Sequence, residues 1–171
     1  ATKCCNKELF ILITDHGRRF ICGAHGSHTM VIHSQSELET FQIAENLLAN
    51  NNIFALSGPL GAGKTRFAKG IAQALDINPD QIISPTYVLE TEYSIPNQNI
   101  KLIHIDAYRM ESADELIRLG IENRIKHKDI IVIEWADKFK FEIRNLKFEN
   151  KIAWVKIEYG EKENERIITI I

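Results

Sequence analysis

The chain is expected to fold as a three-layer α/β domain with a mixed, largely parallel central sheet and antiparallel hairpins. Three observations carry this expectation. Uninterrupted apolar runs, Ile53-Phe54-Ala55-Leu56 and Ile130-Ile131-Val132-Ile133, suit strands covered on both faces, as in a parallel sheet. Stretches with apolar residues at helical spacing alternate with these runs. Directly after the first run, residues 58–65 read Gly-Pro-Leu-Gly-Ala-Gly-Lys-Thr, a complete match to Gly-x-x-x-x-Gly-Lys-[Ser/Thr]. That octapeptide between a strand and a helix is the signature of a P-loop NTPase-like domain.

Size and composition suit one such domain. The 171 residues are 44% hydrophobic and 26% charged, values of an ordinary globular protein long enough to bury a core. A net charge of −2 supplies no electrostatic footprint for nucleic acid or a membrane surface, so neither DNA nor a membrane is an expected partner. No apolar stretch approaches transmembrane length. Cys4, Cys5 and Cys22 are an odd set without zinc-site spacing to His16, His25 or His28, which argues against a disulfide framework. Residues 1–29 look foreign to the remainder. Gly26-Ser27-His28-Thr29-Met30 resembles an expression-tag remnant, and Met30 would serve as a start, so residues 30–171 are taken as a single P-loop ATPase domain.

The elements follow in order. Ser36 and Glu39 have capping-box spacing, and Leu38, Phe41, Ala44, Leu47 and Leu48 make a helical stripe to about residue 49. Asn50-Asn51-Asn52 ends it and the first core strand follows at 53–57. Beyond the loop, Phe67, Ile71, Ala74 and Leu75 give a second helix its buried face. Pro85 bars a helix through 84–87. Residues 88–95 look extended, 96–99 have turn chemistry and 100–105 are strand-like, which predicts a hairpin over 88–105. Ser112 and Glu115 start a short helix over 113–119, Gly120 interrupts it, and a second piece runs to about 125. The strand at 130–133 ends in Glu134-Trp135. Residues 152–159 and 166–171 around a charged turn at 160–165 read as a closing hairpin.

The loop points to phosphate chemistry. Its glycines allow successive N–H groups to face phosphate oxygens, and the next helix adds its positive dipole end. Gly58, Gly61, Ala62, Gly63, Lys64 and Thr65 are the expected nucleotide-binding residues. Lys64 would bring a charge to the β- and γ-phosphates and the Thr65 hydroxyl would ligate Mg²⁺. Such a site needs carboxylates opposite the loop. Asp106 and Glu134 each close an apolar strand, and Glu134 fits the metal-holding position better because its strand is unbroken; alone, either would do as a helix cap or a solvated acid. Thr86 lies where a switch segment supplies a hydroxyl near the metal and γ-phosphate, or else bonds its own loop. Arg109 suits either phosphate charge or a surface ion pair, Trp135 reads as a core aromatic, and Arg124, Lys126, His127 and Lys128 suit a solvated helix end or a contact to RNA or a partner.

Taken together, the loop, Ser-Pro-Thr-Tyr at 84–87, His-Ile-Asp-Ala-Tyr-Arg at 104–109 and Ile-Glu-Trp at 133–135 resemble the bacterial TsaE family in order and spacing, over residues 31–171. Pro59, Ala107 and Ala136 depart from that pattern, none at an expected ligand. The resemblance implies a small cytoplasmic ATPase for threonylcarbamoyladenosine in tRNA, which binds a complex of TsaD and TsaB and supports its turnover by hydrolysing ATP. The tRNA would be met indirectly, through the complex. It implies ATP and Mg²⁺ as cofactors, Thr65 and Glu134 as metal ligands, Asp106 near the metal or attacking water, and Thr86 as a switch residue; Lys64, Thr86, Asp106 and Glu134 form the expected catalytic set. Which acid positions water stays open. A GTPase is disfavoured, since residues 6–9 read Asn-Lys-Glu-Leu, outside the domain and without the guanine-reading acid. Two other readings are a small-molecule kinase, for which no arginine-rich lid is evident, and an ATP-binding interaction module with little hydrolysis.

Overall fold

The computed structural model describes residues 21–22, 29–145 and 152–171. In chain order its strands are β1 (Ile21–Cys22), β2 (Met30–Ser34), β3 (Ile53–Ser57), β4 (Glu90–Ser94), β5 (Lys101–Asp106), β6 (Ile130–Glu134), β7 (Ile152–Tyr159) and β8 (Arg166–Ile170). The helices are α1 (Glu37–Leu48), α2 (Lys64–Ala74), α3 (Ala113–Arg118), α4 (Ile121–Lys126) and α5 (Lys140–Arg144). The strands form one sheet in the order β1-β2-β8-β7-β3-β6-β5-β4. At its centre β7, β3, β6 and β5 run parallel, and antiparallel strands flank them on both sides.

The unbroken apolar runs are explained by burial on both faces. Along β3, Phe54 and Leu56 join one core with Ile43 and Ala44 of α1 and Phe67, Ala68 and Ile71 of α2. Ile53 and Ala55 join the other, with Leu116 of α3, Ile121 and Ile125 of α4 and Ile143 of α5. The mixed three-layer α/β architecture expected from sequence is therefore the one observed, with hairpins β4–β5 and β7–β8 in the expected places. Among the described residues, no helix is long and apolar enough to cross a membrane.

Two local differences have physical causes. The first hairpin begins at Glu90, not at 88, because the Pro85 carbonyl takes the N–H groups of Val88 and Leu89 in a turn, and Leu89 enters the left-handed region at φ +65°. The 3-10 turn Ala136–Phe139 and α5, neither expected, follow β6. The supposed leader at 1–29 falls largely outside the described residues, as do the cysteine–histidine combinations considered above; Ile21 and Cys22 pair antiparallel with Val31 and Met30.

Helices α1 and α2 approach closely at Gly70. A Cβ there would lie 2.8 Å from the Phe41 Cα and 3.0 Å from the Ala44 Cβ. A side chain at 70 would raise helix propensity, by about 1 kcal/mol for alanine, but backbone cannot yield to it, and overpacking costs about 1–3 kcal/mol. Gly70→Val is therefore expected to lower stability by about 2 kcal/mol, read as a lower urea midpoint with unchanged slope. A midpoint at or above wild type would contradict the close helix contact.

Candidate functional site: a phosphate loop facing two strand-end acids

The loop after β3 has the backbone its glycines allow. Gly58 and Gly61 hold φ of +136° and +75°. At Gly58 any side chain is also excluded by space, since a Cβ would lie 2.0 Å from the Ile157 carbonyl oxygen. Helix α2 opens with Gly63 at its N-cap and no side chain on its first amides. Uncapped N–H groups and the positive end of the helix dipole are what an anion requires.

Lys64 is 4% exposed. Its ammonium donates to the carbonyls of Gly58 (2.8 Å) and Pro59 (2.9 Å) and lies 3.8 Å from the centroid of the Trp135 ring. Burial lowers the Lys64 pKa from its ordinary value, opposed by the negative charges of Glu134, Asp106 and Asp137. A polyanion entering the loop would offset that desolvation.

Strand register places the acids. Glu134 stands opposite Leu56 of β3 on one side and Asp106 of β5 on the other. Thr65, in the first turn of α2, donates its hydroxyl to Glu134 Oε1 at 2.7 Å. His104, two residues before Asp106 on the same strand face, donates from Nε2 to that oxygen at 2.9 Å. Both partners of this second bond are buried, and His104 Nδ1 is buried with no partner among the described residues. A hydrogen bond to a charged group contributes about 1.5–3 kcal/mol, and a buried carboxylate stripped of its donors costs more.

Asp106 is used differently. Its Oδ2 accepts from Ser84 Oγ (2.9 Å) and Thr86 Oγ1 (2.6 Å), and its Oδ1 accepts from the Tyr108 N–H (2.9 Å). It thus ties the 84–87 loop to the end of β5. Lys138 braces the same corner by donating to the carbonyls of Ala107 (3.1 Å), Tyr108 (2.8 Å) and Met110 (2.5 Å). Trp135, at φ +58°, sets its ring between Lys64 and Tyr108, whose ring centroid is 5.0 Å away.

A cleft of about 440 Å³ results, bordered by Gly61, Gly63, Lys64, Thr65, Thr86, Asp106 and Glu134. That volume falls in the range of small-molecule sites. Of the other expected residues, Gly58 lines a neighbouring cleft, and Ala62 is buried behind the loop in the α1–α2 core. Arg109 lies over the Tyr87 ring, 4.4 Å from its centroid. In the basic cluster, Arg124 pairs with Glu90 and Glu92, so its charge is compensated within the chain, and His127 Nδ1 lies 2.8 Å from Asp129 Oδ1.

Sequence reasoning did not single out Ser84, Lys138, Tyr159 or Arg166, and gave His104 no role. His104 had a usable signal: strand alternation puts it on the face of Leu102 and Asp106. Tyr159 and Arg166 reach the loop from across the sheet and had no local signal.

The family model for the threonylcarbamoyl adenosine biosynthesis protein TsaE matches residues 34–168. The tRNA threonylcarbamoyladenosine biosynthesis protein TsaE of Aquifex aeolicus is 43% identical over 122 residues, 64% of this chain and 90% of that protein. The protein of the same name from Rickettsia typhi is 39% identical over 115 residues, 66% of this chain and 76% of that one. Among solved structures, Bacillus subtilis YdiB superposes with a TM-score of 0.60 at 26% identity, covering 86% of this chain and 87% of YdiB. The family match takes in the loop, both acids and every strand between them, and on that ground the chain belongs to the TsaE family.

Proposed function

We propose that the cleft binds ATP with Mg²⁺ and hydrolyses it, in support of tRNA threonylcarbamoyladenosine biosynthesis. The observation that carries this reading is the 2.7 Å bond between Thr65 and Glu134, which brings a phosphate-loop hydroxyl and a strand-end carboxylate to one point. Among the described residues, no group of three or more His, Cys, Asp or Glu side chains forms a metal cage. Mg²⁺ does not need one: it is held by one or two protein oxygens together with phosphate oxygens and water. Thr65 and Glu134 would hold it, and when bound it would neutralise phosphate charge and orient the β- and γ-oxygens.

The chain's own residues do the remaining work in this reading. Amides of 61–65 receive the phosphates, and Lys64 exchanges its two loop carbonyls for phosphate oxygens. His104 keeps Glu134 turned toward Thr65. Asp106 acts through Thr86 and Ser84, holding the switch loop over the γ-phosphate side. Hydrolysis by the chain alone is slow in this reading, with a partner completing the stabilisation of transition-state charge. The family supplies the rest of the proposal: a TsaD–TsaB complex as partner, tRNA met only through it, and a cytoplasmic site of action.

Three outcomes are expected. Lys64→Ala should weaken MgATP binding about 10- to 100-fold by calorimetry, the loss of a charge-assisted bond; unchanged affinity would sink the assignment. Glu134→Ala should keep ATP affinity within about threefold while Mg²⁺-dependent turnover falls about 100-fold or more; full turnover would move the metal-linked role to Asp106. ATP hydrolysis should rise when TsaD and TsaB from the same organism are added. No stimulation, with phosphate instead transferred to a small metabolite, would favour a kinase.

A further inference from the structure

The phosphate loop is held from behind by the last hairpin. Tyr159 and Arg166 are register partners at the turn end of the β7–β8 hairpin, with the guanidinium 5.2 Å from the phenol ring centroid. The Tyr159 hydroxyl donates to the Leu60 carbonyl at 2.5 Å, and Arg166 Nε donates to the Ala62 carbonyl at 2.7 Å. Arg166 Nη1 donates to the carbonyls of Glu163 and Glu165, both at 2.7 Å, which fixes the guanidinium on its own turn. The Ile157 carbonyl of the same hairpin fills the space where Gly58 would carry a side chain, and the Tyr159 hydroxyl stands 2.7 Å from where a Gly61 Cβ would be.

This arrangement has a direction. In a loop that cradles phosphate, N–H groups must face inward, and the carbonyls between them must face out. Leu60 and Ala62 alternate with Gly61 and Gly63, and it is the carbonyls of these two alternate residues that Tyr159 and Arg166 take. Peptide units flanking glycine rotate at little steric cost, so without outside donors the loop would also populate forms with carbonyls turned into the cleft.

We propose that Tyr159 and Arg166 form a positioning clamp that sets the fraction of molecules whose phosphate loop is ready to receive nucleotide. The clamp rests on the reading of the loop as a nucleotide-phosphate site, and neither side chain is among those that line the cleft. Apparent affinity falls in proportion to the ready fraction. With loop rotation fast relative to encounter, the association rate falls by the same factor, and dissociation stays at the wild-type rate because the bound contacts are unchanged. A side chain that contacts nucleotide gives the opposite signature, faster dissociation with intact association.

The test is stopped-flow binding of a fluorescent mant-ADP with Mg²⁺ to the full chain and to Tyr159→Phe, Arg166→Met and Arg166→Lys. Tyr159→Phe and Arg166→Met are each expected to slow association about three- to tenfold, with dissociation within about twofold of wild type. Arg166→Lys should recover part of the loss, since its ammonium can still donate to the Ala62 carbonyl. Unchanged association, or an affinity loss due wholly to dissociation, overturns the clamp. Should Arg166→Met fail to fold, Tyr159→Phe decides alone, since it removes one oxygen from a half-exposed ring. A wild-type chain that binds no nucleotide sinks the site reading and the clamp together; wild-type binding with indistinguishable variants overturns the clamp only.

Discussion

Glu134 is a carboxylate at the end of a fully buried strand, and the site is arranged around keeping it satisfied. At 3% exposure it has almost no water to turn to, and an unpaired charge there would be prohibitive. Its donors come from two different neighbours: Thr65 from the loop and helix that follow β3, and His104 from β5. Strand β6 lies between β3 and β5 in the sheet, which is the one position where both can reach it. Sheet order, the register of Asp106 against Glu134 and the direction of α2 are thus tied to one oxygen atom.

The two walls of the cleft differ in how they are held. The phosphate loop is gripped on its outer face by β7–β8 and on its inner face by the Lys64 ammonium. The opposite wall, residues 84–89, is held by the Asp106 carboxylate, by turn bonds to the Pro85 carbonyl and by the Asp106 N–H on the Leu89 carbonyl, with Tyr87 largely exposed. The exposed side chains of Ser84, Tyr87 and Val88 mark this wall as the segment of lower local stability. In the proposed reading, opening and closing over a nucleotide would fall to the Ser-Pro-Thr-Tyr wall while the loop stays fixed, a division suited to an ATPase governed by a partner.

What was legible in the sequence was what is local. The octapeptide, the unbroken runs at 53–56 and 130–133 and the acids closing their strands each need only a few neighbouring residues, and each was read correctly as an element. Val88 and Leu89, the end of the turn at 85–89, were misread as strand because apolar residues there look extended, while the Pro85 carbonyl that captures their amides leaves no mark in hydropathy. His104 hid inside an apolar strand, where a histidine ordinarily means packing. Tyr159 and Arg166 meet Leu60 and Ala62 across 99 and 104 residues, and nothing short of the assembled sheet brings them together.

The central claim is that Thr65 and Glu134 mark a metal–nucleotide site at which Lys64 changes partners. A crystal structure of the chain with Mg²⁺ and a non-hydrolysable ATP analogue tests it most directly. The account predicts phosphates against the amides of 61–65, the Lys64 ammonium moved from the Gly58 and Pro59 carbonyls to phosphate oxygens, and the metal beside the Thr65 hydroxyl and the Glu134 carboxylate. A nucleotide bound elsewhere, or a Thr65–Glu134 pair left unchanged and remote from the metal, would contradict it.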